Sequence, residues 1–302
     1  MKKIREMSKD SIVRDFDAIS RIVSSPYRSY ICFDTEFPGF LKFTPSDASA
    51  EQRYNDVKLN VDAMKLIQFG FTFYTEEGES IGYAWQINFR EFDPAVDPHA
   101  LSSVQLLRES GIDFEGNQRD GVDATLFSRL LWNKLISPCR ETTRWVTFHG
   151  LYDLAYLIKL LMGLPLPSTL PEFLRLVRSL LGNVYDLKHI AKHCGFEETM
   201  GLVRIADELG ITRPEGWKHH QAGHDSLLIG QVFWKIKERF SVNEDYFAGV
   251  VHGAELSNLV PMAAPPQISC LAPQGFYFGV DLPQGLFYYT SPIMSVYRDN
   301  WY

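Results

Sequence analysis

The sequence predicts an α/β protein, and three features lead to this prediction. A strongly apolar segment lies near the start, two aromatic segments join through a short turn, and strand-like and helix-like segments then alternate. The chain has 302 residues, of which 45% are hydrophobic. It can therefore bury one large core or two modest ones.

Hydropathy and charge restrict the class of protein. No apolar run approaches the ~20 residues that cross a bilayer, and MKKIREMSKDSIVRDF carries charges where a signal peptide needs an apolar stretch. We therefore expect a soluble intracellular protein without a membrane partner. The net charge of -7 argues against a protein that coats nucleic acid broadly, but allows an enzyme that takes a strand end into a small cleft.

The four cysteines lie far apart and form no CxxC pair. This spacing argues against both a zinc cluster and a disulfide framework. We expect the thiols to be reduced and mostly structural.

The first half of the chain predicts a helix and a mixed sheet. Helically spaced apolar residues between Ile4 and Val23 predict a leading amphipathic helix. The apolar segment 30–37 predicts the opening strand. Residues 66–74 and 80–89 are aromatic-rich and flank the turn TEEGES, which predicts a β-hairpin.

The second half predicts strands that alternate with helices. Polar residues 108–123 predict a loop and a helix start, and ATLFSRLLWNKL continues that helix. RWVTFHG predicts a strand that leads into the helix DLAYLIKLL, and NVYDLKHIAKHC repeats the pattern, so part of the sheet should be parallel. A final helix starts near Asp225.

The composition changes after about residue 260, where prolines, glycines and aromatic residues replace helical periodicity. APQGFYF is followed ten residues later by the similar LPQGLFY. We therefore predict a domain over 1–260 and a tail over 261–302. The tail either forms an irregular appendage that binds a partner or packs back onto the domain.

Two acids interrupt the opening strand YICFDTEFPGF. Asp34 and Glu36 lie two positions apart, so their side chains point to the same side of the strand. Like charges held this close repel unless a cation or a hydrogen-bond network compensates them. Asp153 at a strand–helix junction and Asp225 at a helix start are two further candidates, although each could simply cap its helix.

Together these four acids indicate a shared site. Carboxylate oxygens are the ligands that Mg²⁺ and Mn²⁺ prefer, and two such ions ~4 Å apart can clamp the attacking and leaving oxygens of a phosphodiester. The expected reaction is hydrolytic phosphoryl transfer. His220 lies five residues before Asp225 and fits a general base for the attacking water.

Other polar residues have simpler interpretations. Asp186 closes a strand and starts a helix, so a capping role is favoured over a metal ligand. His189 and His193 are four residues apart but lack the glutamate of an HExxH motif, which favours core or surface positions. His149 lies in an apolar strand, which favours a hydrogen-bonded structural role. His219, like His224, would replace His220 only if the latter points away.

These motifs resemble a known superfamily. The D-x-E pair, the Tyr152-Asp153 pair and the His220 to Asp225 spacing resemble the DEDD exonucleases of the histidine subtype. The tyrosine subtype has Tyr where this chain has Gln221. FDTEFPG, NVDAMKLIQFGFTF, YAWQINF, SGIDF, FHGLYDLAYLIK, YDLKHIAKHC and HQAGHDSLLIG further resemble the Caf/Pop family, the catalytic deadenylase subunit of the carbon catabolite repressor-NOT (CCR-NOT) complex.

The resemblance implies a ribonuclease-H-like mixed sheet flanked by helices and 3′-to-5′ shortening of mRNA poly(A) tails with release of 5′-AMP. It also implies two divalent ions, Mg or Mn. Asp34, Glu36 and Asp225 would hold one ion, Asp34 and Asp153 the second, and His220 would activate water. A NOT scaffold subunit, a second deadenylase subunit, and location in nucleus and cytoplasm follow from the same resemblance.

Some features stay open at this point. Phe37 beside the acid pair is a candidate contact for a base or ribose of single-stranded RNA, with a core role equally open. His224 stands where the family has a small residue, and EDYFAGVVHGAEL keeps only a loose likeness. The alternatives are a DEDD exonuclease for other RNA or DNA 3′ ends, and a non-catalytic docking subunit with the same fold.

Overall fold

The computed structural model describes residues 3–23, 29–213, 216–255, 268–270 and 278–280. Its strands are β1 (Lys3–Met7), β2 (Ser29–Glu36), β3 (Gln68–Thr75), β4 (Ser80–Asn88), β5 (Thr143–Thr147), β6 (Asn183–Asp186), β7 (Ile268–Cys270) and β8 (Phe278–Val280). The helices are α1 (Ile12–Val23), α2 (Ala50–Ala63), α3 (Leu101–Glu109), α4 (Phe114–Asp120), α5 (Ala124–Leu131), α6 (Ser137–Cys139), α7 (Leu151–Met162), α8 (Leu170–Leu181), α9 (Leu187–His193), α10 (Leu202–Glu208) and α11 (Ala222–Phe240). A π-helical turn, Trp132–Ile136, follows α5, and a 3₁₀ turn, Glu244–Phe247, follows α11.

The main sheet has six strands in the order β1-β4-β3-β2-β5-β6. Strand β3 runs antiparallel to both β2 and β4, whereas β2 pairs with β5, and β5 with β6, in parallel. The hairpin and the partly parallel sheet are therefore confirmed. Helices α7 and α9 begin directly after β5 and β6, so their first residues lie at the carboxyl ends of these strands.

The predicted leading helix is wrong over its first residues. Lys3–Met7 forms an edge strand parallel to β4, and α1 begins only at Ile12. The strand is fixed by a distant partner: Lys3 pairs with Tyr83, and the Arg5 guanidinium carbon lies 3.8 Å from the centre of the Tyr83 ring. This pairing outweighs the helical spacing of the local sequence.

The predicted loop over 108–123 is wrong in part, because α4 lies within it. Asp113 caps α4 by accepting a hydrogen bond from the backbone N–H of Gly116, and Asp123 caps α5 in the same way through Leu126. The polar residues that indicate a loop are here the N-caps of two consecutive helices.

Both faces of the sheet are buried. On one face, the Phe33 ring packs against Phe69 and Trp145 at centroid distances of 5.8 and 5.5 Å, and Phe127 of α5 covers Phe69 at 5.4 Å. On the other face, α9, α10 and α11 cover a cluster that includes Cys32. Cys32, Cys139 and Cys194 form no disulfide in the described part of the chain.

Helix α11 lies against β3 without intervening side chains at Gly70. A Cβ atom at Gly70 would lie 2.0 Å from the carbonyl carbon of Ala222 and 2.3 Å from the nitrogen of Gly223. Only glycine permits this approach. Gly70 is the register partner of Asp34 on β2, so the first turn of α11 lies beside the acid-bearing part of the central strand.

The chain divides into two compact units, Met1–Leu259 and Val260–Tyr302. In the second unit, β7 pairs antiparallel with β8. The rest of the predicted tail over 261–302, including most of both PQG segments, lies outside the described residues. None of the described helices is both long and apolar enough to cross a membrane.

We predict that Gly70→Ala strongly destabilises the protein, because the added methyl group overlaps the backbone of Ala222. Overpacking of this kind costs about 1–3 kcal/mol or more. Gly201→Ala is the control, since a Cβ there meets no atom within 4 Å, and it should cost less than about 1 kcal/mol. Urea unfolding of both variants measures the difference. Equal loss of stability would contradict the close approach.

Candidate metal centre

Three carboxylates converge at the end of β2. Asp34 and Glu36 lie on one side of the strand, and Asp225 lies in the first turn of α11. One oxygen from each of the three lies within 4.8 Å of the other two. The structure therefore brings together three of the four acids that the sequence singles out, although Asp225 is almost two hundred residues away from the other two in the chain.

Asp153, the fourth acid, lies in the first turn of α7, the helix that follows β5. Its Oδ1 accepts hydrogen bonds from the backbone N–H of Thr35, at 3.0 Å, and from the Thr35 hydroxyl. The Thr147 hydroxyl, at the end of β5, donates to Oδ2 at 3.3 Å. Asp153 thus bonds to β2 and β5, while α7 begins at Leu151 and its N-cap, Gly150, makes no side-chain cap hydrogen bond. The capping interpretation of Asp153 is wrong.

Asp225 has a different local environment. The N-cap of α11 is Gln221, and the nearby backbone N–H groups of Gln221 and His220 stabilise the charged form of the Asp225 carboxylate. This position agrees in part with the capping interpretation of Asp225. It does not exclude a second role, because the carboxylate also faces Asp34 and Glu36.

Burial raises the pKa of all four carboxyl groups, and the charges of the other site acids raise it further for Asp34 and Glu36. For Asp34, burial is the largest cause, followed by the charges of Asp153, Asp225 and Glu36, and the pKa lies well above its usual value. Burial, then Asp225 and Asp153, raises that of Glu36 in the same way. Burial raises the pKa values of Asp153 and Asp225 to about 7.

This charge distribution fits a divalent cation. Four neighbouring carboxylates can ionise together at neutral pH only when positive charge compensates them. The donor set consists of oxygen, which suits hard ions such as Mg²⁺ or Mn²⁺. Metal binding and proton release are then coupled, since the ligands must lose their protons.

Three buried glutamines hold α11 beside the acids. The Gln68 Oε1 accepts from the N–H of Ala222 at 2.7 Å, and the Gln86 Oε1 accepts from that of Gly223 at 3.1 Å. Both glutamines donate through Nε2 to the Oε1 of Gln221, at 3.2 and 3.0 Å. These residues satisfy the first N–H groups of the helix.

Sequence reasoning missed this glutamine clamp. From the sequence, Gln221 is only the residue that stands in place of a tyrosine. In the structure Gln221 is buried, and its Nε2 donates to the Ser110 carbonyl at 3.1 Å. The available signal was two glutamines in otherwise apolar strands. A buried polar side chain in a strand needs a partner, and here that partner is the start of a helix.

His220 lies immediately before the N-cap of α11. Its backbone has φ of 56°, and its ring is exposed at the surface. Burial of part of the ring, then the neighbouring His219, lowers the pKa of His220. His224 instead packs on Trp217 with ring centroids 5.0 Å apart, which accounts for a large residue at this position.

Asp186 caps α9, as predicted, and also links three segments. Its carboxylate accepts hydrogen bonds from the N–H groups of Lys188, His149, Gly150 and His252, at 2.9–3.0 Å. His149 has φ of 57° and immediately precedes the N-cap of α7. Burial lowers the pKa of His149 to about 4. Asp186 therefore fixes the backbone turn that leads to Asp153.

Comparison with known proteins identifies the family. The CAF1 family ribonuclease domain matches residues 18–125 and 128–233. The chain belongs to the CAF1 ribonuclease family. It is 36% identical to probable CCR4-associated factor 1 homolog 7 of Arabidopsis thaliana, over 85% of this chain and 94% of that protein. It is thus a nuclease of the deadenylase type, and the predicted resemblance to the Caf/Pop family is confirmed.

Solved structures of CAF1 relatives have the same fold. The Mg²⁺- and Mn²⁺-bound form of S. pombe Pop2p is 32% identical, with a TM-score of 0.75, and covers 83% of this chain and 99% of its own. A chain from the yeast NOT1 MIF4G domain co-crystallized with CAF1 is 28% identical, with a TM-score of 0.68, and covers 82% and 96%. The ribonuclease-H-like mixed sheet flanked by helices is therefore confirmed.

Phe37 of this CAF1 chain lies in an aromatic cluster beside the acids. Its ring stacks on Tyr152 and Tyr156 with centroid distances of 5.1 Å to each, and Phe40 meets it at 5.7 Å. Phe37 is half-buried, so its ring packs within the cluster and is also partly accessible to solvent. Phe43 packs on Phe40 at 5.9 Å and is 74% exposed. Sequence reasoning did not select it.

We predict that Asp225→Asn reduces the pH dependence of stability in metal-free solution. An unfolded Asp has a pKa near 3.9, and the folded group has about 7. The folded state thus holds its proton to higher pH, and stability falls as pH rises from about 4 to about 7. The variant lacks this loss, by about 1 kcal/mol or more, since one pKa unit is about 1.4 kcal/mol.

Urea unfolding in chelator between about pH 5 and about pH 8 measures this effect. Glu77→Gln, in the exposed hairpin turn, is the matched control and should follow the wild type. Parallel stability curves for all three proteins would contradict the raised pKa of Asp225.

Proposed function

We propose that this protein is a metal-dependent 3′-to-5′ exoribonuclease that shortens poly(A) tails and releases 5′-AMP. The supporting observation is the meeting of Asp34, Glu36 and Asp225 within 4.8 Å, beside Asp153, in a chain of the CAF1 ribonuclease family. A non-catalytic docking subunit would have no need of four neighbouring acids, two of which, Asp34 and Glu36, have pKa values raised by burial and by the charges of the others. That alternative is therefore disfavoured.

The proposed metal ligands follow from the four carboxylates. Asp34, Glu36 and Asp225 would hold one divalent ion, and Asp34 with Asp153 would hold a second. The Mg²⁺- and Mn²⁺-bound form of the Pop2p relative supports divalent ions of this kind. When bound, such ions supply Lewis-acid stabilisation of the charge that develops on the phosphodiester.

Neighbouring residues would orient one of the acids and accept a proton from the attacking water. Thr35 and Thr147 orient Asp153 by donating to both carboxylate oxygens. The proposed base, His220, has an exposed ring, so both water and an RNA 3′ end can reach it. A lowered pKa keeps its imidazole neutral at pH 7 and able to accept a proton.

An aromatic surface and the structure of a relative support the proposed substrate and partners. Phe37, with the exposed Phe43 nearby in its cluster, offers aromatic surface on which an adenine base could stack. The yeast NOT1–CAF1 co-crystal structure supports a NOT scaffold as a partner, and the family supports a second deadenylase subunit. The proposed locations are the nucleus and the cytoplasm.

We predict that the purified protein with Mg²⁺ or Mn²⁺ releases 5′-AMP from the 3′ end of an oligoadenylate. Asp34→Asn should lower the rate by about a thousandfold or more, because it removes a negatively charged ligand of both proposed metal ions and so weakens the stabilisation of the transition state. Glu77→Gln should retain wild-type activity. Release should be slower from other RNA sequences and from single-stranded DNA. Chromatography of released nucleotides measures all of these rates.

The outcomes separate the alternatives. Equal rates on oligoadenylate, other RNA and DNA would favour a general DEDD exonuclease over a poly(A) nuclease. Equal activity of wild type and Asp34→Asn would show that the assigned carboxylates are not the catalytic site.

We predict that His220→Asn lowers kcat by about 10²–10⁴-fold, the usual contribution of a general base. Asparagine tolerates the positive φ of this position, so the fold should persist. The exposed neighbour His219 supplies the control, His219→Asn, which should retain activity. The rise in melting temperature on adding Mn²⁺ should be the same in both variants. A fully active His220→Asn enzyme would assign the base to another group.

A further inference from the structure

A second group of metal-ligating side chains lies outside the carboxylate centre. One ligand atom each from His189, His252 and Glu255 lies within 4.8 Å of the others. The Nδ1 of His189 is 3.1 Å and the Nδ1 of His252 is 3.8 Å from the Oε1 of Glu255. Tetrahedral zinc with Zn–N and Zn–O distances of 2.0–2.2 Å separates its ligand atoms by about 3.3–3.5 Å. The observed distances lie on either side of this range.

His252 supplies the decisive observation. The residue is 7% exposed, and its Nδ1 is buried without a hydrogen-bond partner among the described residues. Leaving such a buried atom without a partner is unfavourable. Since the Nδ1 points toward the Glu255 carboxylate but lies beyond hydrogen-bond distance, a cation between them would give it a partner.

The backbone holds these ligands in place independently of any ion. The N–H of His252 donates to Asp186 at 3.0 Å, and the N–H of Gly253 donates to the other carboxylate oxygen of Glu255 at 2.8 Å. On the far side of the imidazole, the His252 Nε2 lies 3.6 Å from Glu198. Metal-binding histidines commonly have a carboxylate beside their second nitrogen, which orients the ring.

We propose that His189, His252 and Glu255 form a zinc site that fastens the segment after the 3₁₀ turn to helix α9. Two imidazoles and one carboxylate are a ligand set that zinc uses with water in the fourth position, and imidazole favours zinc over magnesium. The site shares no residue with the carboxylate centre.

The test is a Zn²⁺ titration of the full chain in excess Mg²⁺, which competes for the proposed carboxylate centre. The variants His189→Gln and Glu255→Gln alter half-buried and exposed positions, so folding should persist. Each should weaken zinc binding by at least about tenfold. His193→Gln is the matched control: it lies one turn along α9, its Nδ1 is 2.9 Å from the carbonyl of His189, and zinc affinity should stay within about twofold.

Co²⁺ provides a second readout with the same proteins. The wild type and His193→Gln should show the visible absorption of a tetrahedral Co²⁺ site, and the two ligand variants should lose it. Equal zinc affinity in all four proteins would overturn the proposal. Zinc binding that disappears in Asp34→Asn and not in the ligand variants would also overturn it, since the ion would then occupy the carboxylate centre. Nuclease activity in Mg²⁺ is a separate measurement and does not decide this question.

Discussion

The direct contact between helix α11 and strand β3 at Gly70 determines the geometry of the candidate site. Gly70 lies opposite Asp34 in the sheet register, and the backbone of Ala222 occupies the space that a side chain would need. Asp225 follows Ala222 by three residues, nearly one helical turn, so both lie on the same face of the helix. The contact that positions α11 therefore also places Asp225 beside Asp34 and Glu36.

The site combines several unfavourable features of charge and backbone conformation. Burial raises the pKa of each carboxyl group, and repulsion adds to this for Asp34 and Glu36, which means that their charged forms are unfavourable in the metal-free fold. His149 and His220 also adopt positive φ, at a cost of order 1–3 kcal/mol each. Both residues immediately precede the N-cap of a helix that carries a site acid. The unfavourable conformations are therefore concentrated where the functional groups are oriented.

Local sequence patterns predicted a good part of this arrangement. Strand periodicity alone indicates that Asp34 and Glu36 share a side, and the strand–helix junction before Asp153 indicates an acid at the sheet edge. The hairpin over β3 and β4 follows from its aromatic segments and short turn. In each case the information lies in neighbouring residues of the sequence.

What the sequence did not reveal depends on distant partners. Strand β1 is defined by its pairing with Tyr83 and the following residues, and Gln68 and Gln86 are explained only by Gln221. The interpretation of His189 as an ordinary histidine rested on the absence of a nearby glutamate, whereas the glutamate that contacts it, Glu255, is 66 residues away. Long-range contacts of this kind leave no periodic signal in a single sequence.

The central claim is that carboxylates from β2 and α11 share one cation. A crystal soaked in Mn²⁺ and measured at the manganese absorption edge tests it directly. The account predicts an anomalous peak between the carboxylates of Asp34, Glu36 and Asp225. A crystal in which those three side chains bind no ion, or in which Asp225 lies apart from the strand acids, would contradict it.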